Sequence, residues 1–232
     1  MTVPNTIVFD FDGVILESND IKTNAFQELF RAYPEHQERI VQLHLDNGGM
    51  SRFEKFKIIY RDFLKKLLDV DELDRLGTRF SDLVFQAVLQ CPFVSGAREF
   101  LEKYSAHYRL FVASGTPQEE LRSIVKIRRL DALFQGVYGS PTTKTEILQR
   151  IMNEAGLNPT DLVFIGDALG DYQAARDMNI GFIGRVPPGK PNRFPREGVL
   201  GIVDDLKHLD ARWSLIVTTL DQAQWLSSKR CQ

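Results

Sequence analysis

The stretch IVFDFDGVIL, residues 7–16, decides the fold class, because it is an apolar run that leads into two aspartates. The run has the length and the composition of a buried strand. Asp10 and Asp12 stand at the end of that strand and are separated only by Phe11. A buried carboxylate destabilises a fold strongly unless a counter-charge or a metal ion compensates for it. The stretch therefore predicts a charged site at the end of the first core strand.

Composition places the chain among ordinary globular proteins. Its 232 residues are enough for one large domain, or for a core domain with an insertion. Hydrophobic residues make up 43% of the sequence and charged residues 26%, as in a typical soluble protein. The formal net charge of -2 gives no electrostatic reason to expect a nucleic acid or an anionic membrane as a partner.

Targeting signals are not visible in the sequence. No apolar stretch reaches the roughly 18 residues of a membrane-spanning helix, and the first residues, MTVPNT, do not resemble a signal peptide. Cys91 and Cys231 lack metal-ligand spacing and a neighbouring histidine, so we interpret them as structural free thiols. We therefore expect a cytoplasmic protein, a monomer or a homodimer, with no membrane partner.

The hydrophobic pattern changes twice along the chain. From about Asn19 to Gln90, apolar residues recur at intervals of three and four, which indicates helices. After CPFVSG, residues 91–96, strand-like and helix-like stretches alternate up to IGFIGRV, which predicts parallel βαβ units. We predict an α/β fold with a Rossmann-like, doubly wound parallel sheet formed by residues 1–16 and 91–232, interrupted by a helical insertion, residues 17–90. Residues 186–198 are predicted to be a Pro-rich loop, and the tail from Ala211 onward a helix.

Polar residues follow the predicted strands at the points where the strands end. Ligands of open α/β sheets bind outside the carboxyl ends of the strands, so we expect these side chains to converge at one edge. Four of them are carboxylates, which cannot all be ionised together without strong positive charge. One lysine and a Mg²⁺ ion, which prefers carboxylate oxygens, water and phosphate, would supply it. The residues are Asp10, Asp12, Ser114, Gly115, Lys144, Asp167 and Asp171.

Several of these residues also have a purely structural interpretation. Asp10 and Asp12 could be turn residues, although Asp10 ends an apolar run with no loop before it. Asp171 could be only the N-cap of the helix YQAARDM. Lys144 begins a predicted helix, where a cation opposes the helix dipole, so a lysine without a role would be better placed at the other end.

Ser114 is predicted to be free of a capping role. The sequence TPQE, residues 116–119, supplies a cap by itself, with Thr116 as the N-cap, Pro117 at the first helical position and Glu119 closing a capping box. Ser114 and the N–H group of Gly115 are then available as an anion site at the helix N-terminus.

The four motifs together resemble a known family. DFDGV, SGT, Lys144 and GDALGD occur in this order at the ends of successive strands, and this set is similar to the haloacid dehalogenase superfamily, in its phosphatase branch. The resemblance covers most of the chain and implies that the helical insertion is an α-helical cap domain. The full set of motifs is specific, whereas any single one would be weak.

The resemblance implies a role for each motif residue. Asp10 would be the nucleophile that forms an aspartyl-phosphate, and Asp12 the general acid and base, with its backbone carbonyl available to Mg²⁺. Ser114 and Gly115 would hold the phosphoryl oxygens, and Lys144 would neutralise nucleophile and phosphate. Asp167 would bind Mg²⁺, and Asp171 would support the water shell of the metal or Lys144.

Asp12 also narrows the reaction that the resemblance implies. True dehalogenases of the superfamily lack this second acid, so its presence favours phosphate esters over carbon–halogen bonds. Ala168 and Thr145 depart from residues common in relatives, which puts the subfamily in doubt but not the reaction.

Basic residues in the insertion and in the last loop are further candidates. GMSRFE, residues 49–54, resembles the cap loop of beta-phosphoglucomutase-like members, which implies that Arg52 binds a second phosphate or carboxylate of the substrate. Lys22 is a weaker substrate-binding candidate on the same resemblance. Each could instead be a solvated surface cation. Lys190, Arg193 and Arg196 lie in the loop after the last predicted strand and could flank the entrance.

Three functions remain open at this point. The first is a Mg²⁺-dependent phosphatase that hydrolyses a small phosphorylated metabolite, such as a sugar phosphate or phosphoglycolate. The second is a phosphomutase of the beta-phosphoglucomutase type, which Arg52 slightly favours. The third is a non-catalytic binding or regulatory protein on the same fold, against which the complete set of motif residues argues.

Overall fold

Parallel strands form the centre of the molecule. In the computed structural model, the backbone is described for residues 4–229 and the side chains for residues 4–218. The strands of this part are β1 (Thr6–Phe9), β2 (Arg109–Pro117), β3 (Gly136–Ser140), β4 (Leu162–Gly166), β5 (Gly181–Arg185) and β6 (Val199–Val203). They make one sheet in the order β3-β2-β1-β4-β5-β6, and every pairing is parallel.

Both faces of this sheet are buried, which explains why the central strands read as continuous apolar runs. In β1, Ile7 and Phe9 face one hydrophobic cluster, whereas Val8 faces the other, and all three are fully buried. Helices cover each face, as the doubly wound arrangement requires. The predicted α/β class with a parallel, Rossmann-like sheet is confirmed.

Nine α-helices surround the sheet in the described part of the chain. The first four follow β1 and precede all other strands, so they form the helical insertion. Five further helices connect or follow the strands of the sheet. The helices are α1 (Asn19–Leu29), α2 (Gln37–Asp46), α3 (Arg52–Ile58), α4 (Val70–Gln90), α5 (Ala97–Tyr104), α6 (Gln118–Ile127), α7 (Lys144–Ala155), α8 (Leu169–Asp177) and α9 (Leu206–Lys229).

Aromatic side chains hold the insertion together. Phe26 of α1 lies against Phe56 of α3 and Phe80 of α4, with ring centroids 5.7 and 4.8 Å apart. Phe30 joins the same cluster, and each of these rings is at most 1% exposed. Burial of such rings supplies most of the stability that the separate short helices lack. The domain boundaries that we predicted around residues 16 and 91 remain a prediction.

The end of the chain departs from the sequence analysis. Strand β6 was not predicted, because VLGIV follows a Pro-rich loop and contains a glycine, which weakens a strand pattern. The predicted C-terminal helix is present, but it begins at Leu206 rather than near Ala211. Cys91 is buried, and its thiol donates to the Val88 carbonyl at 3.3 Å, whereas Cys231 lies outside the described residues. No helix between residues 4 and 229 combines the length and the apolar character that a membrane span needs.

Candidate active site

Asp10 begins the site directly after β1. It is 3% exposed, and its backbone N–H continues the sheet by donating to the Ile165 carbonyl at 2.8 Å. Its Oδ1 accepts from the N–H of Phe11 at 2.7 Å, and its Oδ2 lies 2.9 Å from Nζ of Lys144. The end of a central strand thus holds this carboxylate rigidly beside a buried cation.

Asp12 lies two residues further and is held by hydroxyl and ammonium donors. Ser18 donates to its Oδ1 at 2.6 Å, while Thr116 donates to its Oδ2 at 2.9 Å and Lys22 forms an ion pair with the same oxygen. Burial raises the pKa of the Asp12 carboxyl, but the charge of Lys22 and these hydrogen bonds outweigh it and bring the pKa to about 2. Asp12 is therefore ionised in this arrangement.

Lys144, at the first position of α7, joins two acids. Its Nζ pairs with Asp10 and also with Oδ1 of Asp171, which is fully buried. Burial lowers the pKa of the Lys144 ammonium, yet the two carboxylates outweigh that effect and hold it above its usual range. Thr143 caps α7 and forms a capping box with Glu146, which fixes the position from which Lys144 extends.

Asp171 is not the N-cap of α8, the purely structural role that the sequence left open for it. It lies at the third position of that helix, and its Oδ2 accepts from the N–H of Ala168 at 3.0 Å. Its other oxygen faces Lys144. Asp171 therefore closes the first turn of α8 and at the same time holds the site lysine.

Asp167 follows β4 and completes the acidic group. Nδ2 of Asn19 donates to its Oδ2 at 2.6 Å. Gly13 makes this approach possible, because a Cβ atom there would lie 2.1 Å from the same Asp167 oxygen. Gly13 also has a φ of +72°, which side chains other than glycine rarely adopt. The turn after β1 therefore requires glycine at position 13, because a side chain there would overlap Asp167.

The carboxylates of this group fit a hard divalent cation. Oxygens of Asp10, Asp167 and Asp171 lie within 4.8 Å of one another, and among the described side chains Lys144 is the one cation that pairs with this group, through Asp10 and Asp171. Burial, together with the charge of Asp171, raises the pKa of Asp167 to about 7. Burial also raises the pKa of Asp10 well above its usual range, despite the opposing effect of Lys144. A cation bound by carboxylate oxygens would relieve this repulsion. The side chain of Asp12 is not part of the group.

The end of β2 differs from the capping pattern that we predicted. Strand β2 continues through Pro117, and α6 begins at Gln118 without a side-chain cap, so the predicted cap by Thr116 and Glu119 is wrong. The Thr116 hydroxyl donates to Asp12 instead. Because β2 runs through Pro117, Thr116 does not occupy the N-cap position of α6, and its hydroxyl donates to Asp12 while its oxygen accepts from Lys22.

Ser114 and Gly115, the predicted anion-site residues, lie within β2 and precede the start of α6 at Gln118. The Ser114 hydroxyl is 3.5 Å from Oδ2 of Asp12, and it accepts from the N–H of Thr116 at 3.1 Å. A Cβ at Gly115 would lie 3.0 Å from the carbonyl of Gly49. The loop before α3 therefore rests directly on this end of β2.

The same loop covers the charged group. A Cβ at Gly49 would lie 3.1 Å from Oδ1 of Asp171 and 3.3 Å from Nζ of Lys144. The insertion is thus seated on the strand ends. The cavity left between them is about 30 Å³, room for only about two water molecules.

Arg52 and Lys22, the candidates in the insertion, both line this small cavity. Lys22 is bound to Asp12 and donates to the Thr116 hydroxyl at 2.7 Å. Arg52 is 5% exposed, and its guanidinium binds Glu120 of α6 in a bidentate manner, at 2.6 and 2.9 Å. The Ser81 hydroxyl also bonds Arg52, at 2.8 Å, and Phe80 lies under the guanidinium at 4.5 Å. Arg52 therefore joins the insertion to the core.

The basic residues of the 186–198 loop lie elsewhere. Lys190 and Arg193 line a larger cavity of about 350 Å³ that Asp167 also lines, and Arg196 is exposed. Arg193 pairs with Asp46 at 2.8 Å, which links this loop to the insertion.

Sequence reasoning missed several residues that build the site. Ser18, Asn19 and Thr116 hold the acids, and their only sequence signal is that they are small polar residues close to strand ends. Arg185 was also missed, although it is the last residue of β5 and so lies at a strand end, as Asp10 does after β1. It is 4% exposed and donates to the Gly13 carbonyl at 2.9 Å. A charged residue at the end of each core strand is the pattern that would have found it.

Comparisons with known proteins agree with this geometry. Residues 7–185 match the family model of haloacid dehalogenase-like hydrolases. No curated protein matches the sequence significantly. Among solved structures, beta-phosphoglucomutase from Clostridium difficile is similar at 16% identity, with a TM-score of 0.75, covering 95% of this chain and 98% of that one. A hydrolase from Pseudomonas syringae reaches a TM-score of 0.74 at 18% identity, covering 91% and 99%.

A third structure, described as a predicted phosphoglycolate phosphatase from Haemophilus somnus, has a TM-score of 0.68 at 20% identity and covers 88% of this chain and 96% of that one. These likenesses show a shared fold. The family model spans most of the chain, from β1 to β5, and includes every acid of the site. The chain therefore belongs to the haloacid dehalogenase-like hydrolases, and it is an enzyme.

Proposed function

We propose that the chain is a Mg²⁺-dependent phosphatase that hydrolyses a small phosphomonoester through an aspartyl-phosphate on Asp10. The observation that carries the proposal is the contact of 2.9 Å between Oδ2 of Asp10 and Nζ of Lys144, beside Asp12 and Ser114 at the same strand ends. Phosphoryl transfer depends on positioning and on charge neutralisation, and this arrangement offers both.

In the first step, an Asp10 carboxylate oxygen bonds to phosphorus as the ester oxygen leaves. The leaving oxygen takes a proton from Asp12, so the product alcohol departs neutral. In the second step, Asp12 takes a proton from water, whose oxygen attacks phosphorus and releases phosphate and Asp10. Ser114 and the Gly115 N–H hold the phosphoryl oxygens, and Lys144 balances the charge.

Lys22 governs the protonation of Asp12 in this scheme. With Lys22 bound, the pKa of Asp12 is about 2, so its carboxylate is ionised and only weakly basic. Donation to the leaving group requires that Lys22 release Asp12 first. A phosphate dianion entering beside Ser114 competes for Lys22 and so allows Asp12 to be protonated.

Asp10 and Asp167 would hold Mg²⁺, with the Asp12 backbone carbonyl as a further oxygen. Asp171 belongs to the same group of oxygens, and through its contact with Lys144 it also positions that lysine. When bound, the ion neutralises charge on the transferring phosphoryl group. The donor set of carboxylate oxygens supports the choice of a hard cation.

The enclosed cavity supports a small substrate. A volume of about 30 Å³ under the insertion leaves no passage for a protein or a nucleic acid, and even a small ester enters only when the insertion moves. Arg52, which slightly favoured the phosphomutase alternative, is already bound by Glu120, so no observation raises that alternative above hydrolysis.

Phosphate release from a panel of phosphomonoesters in the presence of Mg²⁺ tests the proposal. We expect release from at least one small ester and its loss in Asp10→Asn, while Asp177→Asn, an exposed acid on α8, retains activity. An isomeric sugar phosphate without free phosphate would indicate a mutase. Absence of any turnover across sugar phosphates, phosphoglycolate and nucleotides would refute the proposal.

A further inference from the structure

Lys55 stands apart from the other cations that line the small cavity. Lys22 is paired with Asp12, and Arg52 with Glu120. Lys55 of α3 is 2% exposed and lines the same cavity, yet no carboxylate of the described chain forms an ion pair with it. A buried ammonium without a counter-charge is rare in folded proteins.

The polar partners of Lys55 position it without neutralising it. Its Nζ lies 3.0 Å from Nδ1 of His44 and 3.5 Å from the His44 carbonyl. Burial, and then the charge of Lys55, lowers the pKa of His44 to about 3, so the imidazole is neutral and accepts at Nδ1. An ammonium has three N–H donors, and His44 uses two of them. One donor remains for a group in the cavity.

The position would suit an apolar residue better. The Lys55 ammonium lies 5.6 Å from the Phe26 ring, at the edge of the aromatic cluster of the insertion. Burial, more than any neighbouring charge, lowers the pKa of Lys55 to about 7, which reflects the cost of keeping a cation there. A methionine would pack against the same rings without that cost. The described part of the chain therefore supplies no anion to compensate for this cation.

We propose that Lys55, positioned by His44, binds a second anionic group of the substrate, so that the substrate is a compact phosphomonoester carrying a carboxylate or a second phosphate. The inference rests on the proposed phosphatase function, because that function places the first phosphate at Asp10. Asp10 and Lys55 line the same cavity, so a short molecule that enters when the insertion moves reaches both.

Matched pairs of substrates test the inference. 3-Phosphoglycerate and glycerol 3-phosphate differ by a carboxylate in place of a hydroxymethyl group, and glucose 1,6-bisphosphate adds a second phosphate to glucose 1-phosphate. We expect kcat/KM to be higher for the anionic member of at least one pair. The pair that responds identifies the anion as a carboxylate or a phosphate.

Lys55→Met should reduce kcat/KM for that anionic substrate by about ten- to a hundredfold, the value of a charge-assisted hydrogen bond, and reduce kcat/KM for the neutral partner much less. Lys57→Met is the matched control, because Lys57 lies on the same helix but is exposed and paired with Glu54. Equal losses for both members, or no loss for either, would overturn the inference while leaving the phosphatase intact.

A binding measurement covers the case in which no compound is hydrolysed. The anionic member should raise the melting temperature of the wild-type chain more than the neutral member does, and Lys55→Met should abolish the difference. Lys55→Gln serves if Lys55→Met does not fold. The role of Lys55 is refuted if the two members raise the melting temperature of the wild type equally. It is also refuted if the difference between them is as large in the variant as in the wild type. Failure of hydrolysis alone refutes only the phosphatase.

Discussion

Removing Glu120 will destabilise the protein strongly, because it leaves Arg52 buried without a counter-charge. The two side chains are 5% and 8% exposed, and two hydrogen bonds of 2.6 and 2.9 Å join them. Loss of one partner of a buried ion pair costs about 3–5 kcal/mol. We therefore expect Glu120→Ala to lower the free energy of unfolding by about that amount, a large part of the stability of a typical domain.

Urea denaturation followed by circular dichroism measures this effect. Glu119→Ala is the matched control, since Glu119 is the preceding residue on α6 and its pair with Arg122 is exposed. An exposed pair contributes about 1 kcal/mol at most. The double variant Arg52→Met/Glu120→Leu should recover most of the lost stability, because it leaves no unpaired charge.

The result also reports on the insertion in solution. The pair joins α3 of the insertion to α6 of the core, so it is buried only while the insertion is seated on the strand ends. If Glu120→Ala costs no more than Glu119→Ala, the pair is solvated in solution. That outcome would refute the reasoning that Arg52 holds the insertion to the core.

Three further perturbations test the site. Gly13→Ala should abolish phosphate release, because its Cβ would lie 2.1 Å from an oxygen of Asp167. Gly156 also has a positive φ, but a Cβ there would have nothing within 4 Å. Gly156→Ala should therefore lower the free energy of unfolding by only about 1–2 kcal/mol and keep phosphate release. Lys55 has a pKa of about 7 when folded and 10.5 as a free side chain, so the unfolded state binds more protons between these values. Urea titrations across this pH range give the free energy of unfolding of the wild type and of Lys55→Met. The wild-type value minus the Lys55→Met value should rise by up to about 1.4 kcal/mol per pH unit. A difference that does not change with pH would contradict the burial of the ammonium. Mg²⁺ should raise the melting temperature of the wild type and much less that of Asp167→Asn, and equal shifts would exclude Asp167 as a ligand.

The parallel sheet and its charged edge were predictable from sequence because both depend on local patterns. A run of apolar residues ended by Asp10 or Asp167 indicates a core strand with a carboxylate at its end. The order of strands and helices then requires that these ends meet at one edge. Strand β6 lacked such a pattern, since its five residues are only partly buried except for Val203.

Partners within the site were not predictable, because they come from segments far apart in the chain. Thr116 had a plausible local role as a cap, and only the approach of Asp12 shows that its hydroxyl is used there. The position of a hydroxyl among competing acceptors depends on distances that a linear pattern does not contain.

The sequence by itself determined the class of fold, the acids at the strand ends and the lysine that joins them, since strand periodicity and residue type are local properties. Only the tertiary structure decided how the remaining charges are matched. Arg52 and Lys55 lie three positions apart on one helix, and neither residue type nor spacing shows which of them has a counter-charge. The approach of α3 to α6 brings Glu120 to Arg52, whereas among the described residues the hydrogen-bond partner that the fold brings to Lys55 is His44 of α2. A buried charge is compensated by the groups that the fold places beside it.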